Sequence, residues 1–392
     1  MIAGWEALVL LVILAACEGT GPGDGDAPLP EQGVVALVRT LAGDRLLDAG
    51  VEAGGGADAD PDFQSTTYFY GLSPGRAPIF GDALGFAGAN TAPEVQPEGL
   101  TATDLRFAPT GDRVAIEGSG EATLTGGLTM QFGEGVLALA DDPTAALGRV
   151  EFTGLVVTER ERAAVPADQQ LLANDDQVTP MQIGAAFFVQ ASDPLGQEVA
   201  FVEEQRAAVS LTLPAGDPLF DAGTVRVAAW SRNRTYWVAA DTATLDPVAR
   251  TASFEVGIFG WFALVVELDS RPCVDGELRA GGAPLAGAEL RVARPGGLGM
   301  DRVTSDEDGR VCVPVGGPGT WSALGYDAAL QAMYTGSGSE DFAAGFVLAL
   351  DTWADDDGDL AFAGPGGDCD DADPAVSPNV AKGDGSWCGS DW

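Results

Sequence analysis

Three aspartates at alternate positions, Asp355, Asp357 and Asp359, set carboxylates along one short loop, and Gly358 between them lets the backbone curl. Alternate side chains on such a loop converge on a hard divalent cation, and oxygen-only ligands suit calcium, magnesium or manganese. A second cluster, Asp368, Asp370 and Asp373, follows with Cys369 inside it. Carboxylates this crowded repel one another, and a divalent cation relieves the repulsion while ordering the chain. These six aspartates are therefore the expected metal ligands, and Ca2+ the expected cofactor. Without an ion the same segment is a solvated acidic tail, because residues 351–392 hold eleven aspartates, one lysine and no glutamate. A complete EF-hand is excluded, since its final glutamate position, counted from Asp355, falls on Gly366.

Composition closes off other chemistry. Histidine is absent, which removes the commonest general acid/base, the imidazole metal ligand and the base of a Ser-His-Asp triad. Lys382 is the only lysine, and no carboxylate pair stands out in an apolar setting. No catalytic residue is assigned, and a non-enzymatic role is expected. A formal net charge of -39 repels nucleic acid and anionic surfaces, so nucleic acid is not an expected partner. At 46% hydrophobic residues the chain still carries enough apolar material for packed cores beneath that acidic exterior.

The elements that position these residues read as β-strands throughout. Short apolar runs bounded by Gly, Pro and Asp predict an all-β chain with few helices. Residues 33–110, opening GVVALVRTLAGDRLLDAG, form one expected sandwich. Residues 269–350 form a second with the same logic. There Val274, Leu278, Leu285, Ala288, Leu290 and Val292 supply apolar faces, and Asp308-Gly309 marks a hairpin turn. The two stretches look like repeats. Asp306-Glu307-Asp308 is expected to be an exposed turn rather than a metal site. Between the repeats, residues 111–268 alternate in β fashion, as in Leu124, Leu128 and Met130 or Val209, Leu211 and Leu213, and make a central β domain.

The N-terminus reads as an address. Residues 7–16, ALVLLVILAA, are too few to span a bilayer but suit the core of a signal peptide. Leu14-Ala15-Ala16-Cys17 resembles the bacterial lipobox, which implies cleavage and lipidation at Cys17 and makes residues 1–17 the signal segment. Glu6 stands where such leaders normally carry positive charge. Residues 18–32, EGTGPGDGDAPLPEQ, form a flexible tether. The expected location is the bacterial cell envelope, at the outer membrane or cell surface, with the membrane as partner through the lipid anchor. Leaving Cys17 aside, Cys273, Cys312, Cys369 and Cys388 form two local couples in a compartment that permits disulfides. Three connectivities are formally possible, and Cys273 with Cys312 and Cys369 with Cys388 is preferred because each closes within one stretch.

Three resemblances add to this reading. The order strand, GAPLAGAEL, strand, TSDEDGRVCV, strand in residues 270–350 is similar to carboxypeptidase regulatory-like domains, and residues 33–110 share it more weakly. That implies tandem Ig-like or transthyretin-like sandwiches carrying no catalytic residues. In the central region Trp230, Trp237 and Gly260-Trp261-Phe262 resemble the stretch that accompanies such domains in bacterial surface lipoproteins and cartilage-intermediate-layer-type ectodomains. The pattern DDDGD, GGDCDDADPAVSP and a following cysteine in residues 351–392 resembles the Asp/Cys-rich metal-binding repeat of myxobacterial secreted proteins and type 3 thrombospondin repeats. Leu360 departs from that pattern, which has glycine after the third aspartate.

Together these observations predict a non-enzymatic cell-surface lipoprotein, structural or adhesive, with an irregular acidic calcium-loop segment at its C-terminal end. An extracellular protein or polysaccharide is the expected class of partner. The alternative is a carbohydrate- or peptide-binding receptor using Trp230, Tyr236 or Trp237, residue types whose commoner role is core packing. A third reading is an accessory protein to a secreted hydrolase.

Overall fold

The computed structural model describes residues 32–354, without 42–45, 47–48, 55–57, 62–65, 98, 145–146, 167–168, 174–176, 232, 271, 296, 315–316 and 328–331. Regular structure among these residues is almost entirely β-strand, broken by two short 3-10 turns, Arg162–Ala164 and Pro218–Asp221. The strands fall into discrete sheets, and among the described residues no strand pairing joins 32–107, 114–267 and 274–354 to one another. Three sandwich-like β modules result.

In the first module Gln32–Thr40 lies between Thr66–Tyr70, its antiparallel neighbour, and Gly99–Phe107, its parallel one. The parallel pair runs in register from Gln32 opposite Gly99 to Thr40 opposite Phe107. Val34 through Val38 are all buried, as befits a parallel-paired strand covered on both faces. Val34, Ala36, Val38, Leu105 and Phe107 pack with Phe69, and with Ile79 from a three-stranded sheet of Gly50–Ala53, Ile79–Asp82 and Ala89–Thr91.

The central module pairs a seven-stranded sheet with a five-stranded one. Within the larger sheet, Val178–Ser192 also pairs with Gly260–Glu267, which closes five strands into a hydrogen-bonded ring. The long strand bends where its register shifts between Ile183 and Ala185. Gly184 sits at that bend, and a Cβ there would lie 2.5 Å from the Leu219 side chain. Phe187, Val189, Phe262 and Leu264 share one core with Leu128, Met130, Val209 and Phe254 of the smaller sheet. Alternation turns Phe188, Trp261, Ala263 and Val265 to the opposite face, where they join Trp230 and Trp237.

The third module is an eight-stranded sheet folded on itself around Leu278, Leu290, Val292, Val311, Phe346 and Leu348. Phe346–Ala354 serves both ends of the fold. Its first half pairs in parallel with Val274–Ala280, and its second half pairs antiparallel with Ala332–Phe342. Asp308-Gly309 does form a turn, with Gly309 at φ +72, but the turn is not a hairpin. Met300–Thr304 before it pairs with Glu289–Ala293, whereas Arg310–Val313 after it pairs with Val274–Ala280. The chain therefore crosses between partners at this point. The Asp306 carboxylate accepts the backbone N–H groups of Asp308 at 3.0 Å and Arg310 at 2.8 Å, which is turn chemistry.

Candidate functional site

Cys17, Asp355, Asp357, Asp359, Asp368, Cys369, Asp370, Asp373 and Cys388 lie outside the described residues. Cys273 and Cys312 are joined in a disulfide with Cα atoms 5.4 Å apart. Strand pairing sets this up, because Asp275 sits opposite Cys312 and Val274 opposite Val313. Ligand atoms of Cys273, Asp275 and Cys312 lie within 4.8 Å of one another at the exposed surface. A thiolate, not a disulfide sulfur, is the metal ligand, so the bonded pair leaves the Asp275 carboxylate as the one strong donor. In its oxidised form the cluster is a crosslink, and it offers a metal two sulfurs and an oxygen only after reduction.

The aromatic residues of the central module are core. Trp230 and Trp237 sit opposite each other on neighbouring strands, ring centroids 5.7 Å apart and nearly edge to face. Trp230, Trp237 and Trp261 are all buried, so they present no exposed stacking platform. Tyr236 points the other way, beneath the Arg76 guanidinium at 4.5 Å from the ring centroid. The Trp261 indole N–H donates to the Gly88 carbonyl and so ties the central module to the first.

A charged cluster that no sequence motif announces stands between the first and third modules. Side chains two apart on a strand share a face. Asp104-Leu105-Arg106 and Glu289-Leu290-Arg291 use this spacing: the leucines enter the cores of their own modules, and the charges meet. Arg39 donates to Asp104 at 2.9 Å and Arg106 donates to it at 2.6 Å. Arg291 donates through Nε to Glu289 and through Nη2 to the Asp104 backbone carbonyl. The Thr103 hydroxyl donates to the other Glu289 oxygen at 2.7 Å, and the Ala102 N–H to the Gly287 carbonyl at 3.3 Å.

Electrostatics favours the charged forms of Asp104 and Arg291. Burial pushes the Asp104 carboxyl up, but the charges of Arg39, Arg106 and Arg291 and the Arg39 hydrogen bond together outweigh it and hold the group far below its ordinary 3.8. Burial likewise works against the Arg291 charge, and Glu289 and Asp104 reverse the effect, so its pKa is raised. For Arg106 burial, helped by the like charges of Arg39 and Arg291, lowers the pKa against the opposing pull of Asp104. Alternating acid and arginine on an otherwise apolar strand was the available sequence signal.

Two cavities adjoin these contacts. One, of about 350 Å³, is lined by Arg39, Asp104, Arg106, Glu289 and Arg291 together with residues of the strands Gly317–Asp327 and Ala332–Phe342. The other, of about 560 Å³, lies between the first and central modules and is lined by Asn90, Thr153, Phe188, Trp230, Phe259 and Trp261. Asn90 donates to the Gly88 carbonyl, but its own Oδ1 and the Thr153 hydroxyl are enclosed without a partner among the described residues.

No protein-family model matches the chain, and no curated protein matches it. Among solved structures it is similar to the Bacillus anthracis TIE protein, with 10% identity, a TM-score of 0.19, and coverage of 82% of this chain and 50% of that one. The chain thus spans about half the length of that protein. A likeness of this degree carries no argument about fold or function. Among the described residues no helix is long and apolar enough to cross a membrane.

Proposed function

We propose that the chain is a non-enzymatic surface protein of a bacterial envelope, structural or adhesive, anchored by lipid on Cys17 and binding calcium through the aspartates of residues 351–392. The observation that supports this reading is the interlocking of the first and third modules through a buried ion cluster, with the central module tied to the first through Trp261 and to the third through Gln169, an arrangement suited to a stiff spacer. An exposed disulfide is in keeping with an oxidising compartment. The proposal includes the regulatory-like, transthyretin-type identity of residues 33–110 and 269–350. Each begins with a strand that pairs antiparallel on one side, with Thr66–Tyr70 in the first and with Arg310–Val313 and Ala283–Pro284 in the second, and in parallel with the last strand of its own module on the other.

The test has two arms on the full chain. Expressed in a Gram-negative host, it incorporates radiolabelled palmitate, and Cys17→Ala abolishes the label. Calorimetry of the purified chain gives saturable calcium binding near about 10⁻⁴–10⁻³ M, lost in Asp355→Ala/Asp357→Ala. A chain that takes up neither lipid nor calcium sinks the reading.

One observation favours a receptor for a neutral sugar as the second reading. The larger cavity combines aromatic rings with an unmet amide oxygen and an unmet hydroxyl, the mixture that a hydroxylated ring can satisfy. Saturation-transfer NMR with neutral disaccharides checks it, and loss of transfer in Thr153→Val is the expected result.

A further inference from the structure

We infer that the cavity between the first and third modules is a binding site for a small oxyanion, and that a carboxylate-bearing molecule of about sugar size suits it. Arg39 spends Nε and Nη2 on Asp104, Arg106 spends Nε on Asp104 and Nη1 on the Thr40 carbonyl, and Arg291 spends Nε on Glu289 and Nη2 on the Asp104 carbonyl. Each guanidinium therefore keeps one terminal nitrogen, Arg39 Nη1, Arg106 Nη2 and Arg291 Nη1, with no partner among the described residues.

Acceptors run short on the same walls. Asp104 and Glu289 have their oxygens met by the arginines and by Thr103. Asp351 lines the cavity but forms no ion pair there among the described residues, and it is exposed to screening water. A cluster serving only to lock the modules needs two cations for its two buried carboxylates, and here there are three. The surplus is notable in a chain with 59 acidic and 20 basic residues. Arg291 is nearly inaccessible, with 4% of its side chain exposed, so water screens its charge poorly. Ser322, Thr335 and Ser337 add hydroxyls along the wall. Guanidinium groups at the edge of a partly buried cavity recognise a carboxylate by paired N–H donors, and the hydroxyls suit the rest of a sugar acid.

The site rests on neither the lipid anchor nor the calcium tail, so its test stands apart from theirs. The full chain is titrated by calorimetry with sodium glucuronate, acetate, sulfate and phosphate at constant ionic strength in chloride, and with glucose as neutral control. The expected result is saturable binding of glucuronate, weaker binding of acetate, and none of glucose. Both informative variants sit at the exposed rim, away from the buried network. Ser337→Asp is expected to weaken glucuronate binding by about tenfold and Asp351→Asn to strengthen it several-fold, because like charge repels and its removal relieves repulsion. The inference is overturned by an absence of saturable binding to any of the oxyanions, by equal binding of glucose, or by indifference of both variants. Binding of phosphate or sulfate without either carboxylate overturns the assigned ligand class.

Discussion

In residues 32–107 the last strand, Gly99–Phe107, ends its sheet with one neighbour, whereas in residues 274–354 the last strand, Phe346–Ala354, goes on to pair with a second. The two stretches otherwise begin alike, with a first strand held between an antiparallel neighbour and its own last strand in parallel. An uncovered edge leaves backbone groups unpaired, and the first module meets that need from outside itself. The Ala102 N–H donates to the Gly287 carbonyl and the Asp104 carbonyl accepts from Arg291, both across the module boundary. The third module instead carries its last strand on to a second partner of its own, Ala332–Phe342, and adds the Cys273–Cys312 crosslink. One plan thus yields a module whose last strand finds its second partner at home and a module whose last strand finds it across the boundary.

The largest effect is expected at Arg291. Arg291→Ala leaves Glu289 and the Asp104 carbonyl facing one another without their cation, and loss of one partner from a buried pair costs about 3–5 kcal/mol. Urea unfolding measures the loss. Hydrogen exchange is expected to rise at Ala102 and Thr103 while Phe346–Ala354 stays protected. Unchanged exchange in the first module would mean that it does not lean on the third.

The disulfide tests the other half. Cys273→Ser/Cys312→Ser is expected to cost about 2–4 kcal/mol, confined to residues 274–354. Equal loosening of the first module in exchange experiments would contradict its assignment as the dependent partner.

Acid separates the two modules as well. The Asp104 pKa is depressed in the folded state, so its contribution is complete above the ordinary 3.8 and is lost as pH falls from there toward the folded value. Stability from this group is therefore flat between about pH 5 and 7 and declines below about pH 4. Asp104→Asn removes that decline, and an identical acid profile in the variant would exclude Asp104 as its source.

The smallest effects come from two turn glycines in the two modules. Gly85 at φ +84 has open space where a Cβ would go, so Gly85→Ala costs about 1 kcal/mol in backbone strain alone. Gly309 has φ +72, and its Cβ would lie 2.8 Å from the Leu278 carbonyl oxygen. Gly309→Ala is expected to cost about 1–2 kcal/mol more in thermal denaturation. Equal shifts in melting temperature would show that the close approach at Gly309 relaxes freely.

Much of the fold was legible from local pattern. Alternating apolar residues such as Val209, Leu211 and Leu213 do line one buried face of a strand, and turn residues separate the strands. The pairing of Cys273 with Cys312 was within reach because one precedes and the other lies in a strand of the same stretch. The hairpin reading at Asp308-Gly309 went wrong because a turn fixes only the reversal of the chain, while the pairing of its flanks depends on which sheet edge each can reach.

Glu277-Leu278-Arg279 shows where local information ends. It repeats the acid, leucine, arginine spacing of Asp104-Leu105-Arg106 and Glu289-Leu290-Arg291 and makes the same pair along its strand, at 2.9 Å, with the arginine 41% exposed. Sequence by itself determined that each leucine turns inward and each charge pair turns outward, because side chains alternate along a strand. Only the tertiary structure decided which outward faces would be buried. Docking of the first module on the third takes Asp104 and Glu289 from water, and the low dielectric between them converts ordinary strand charges into a cluster that must be satisfied as a whole.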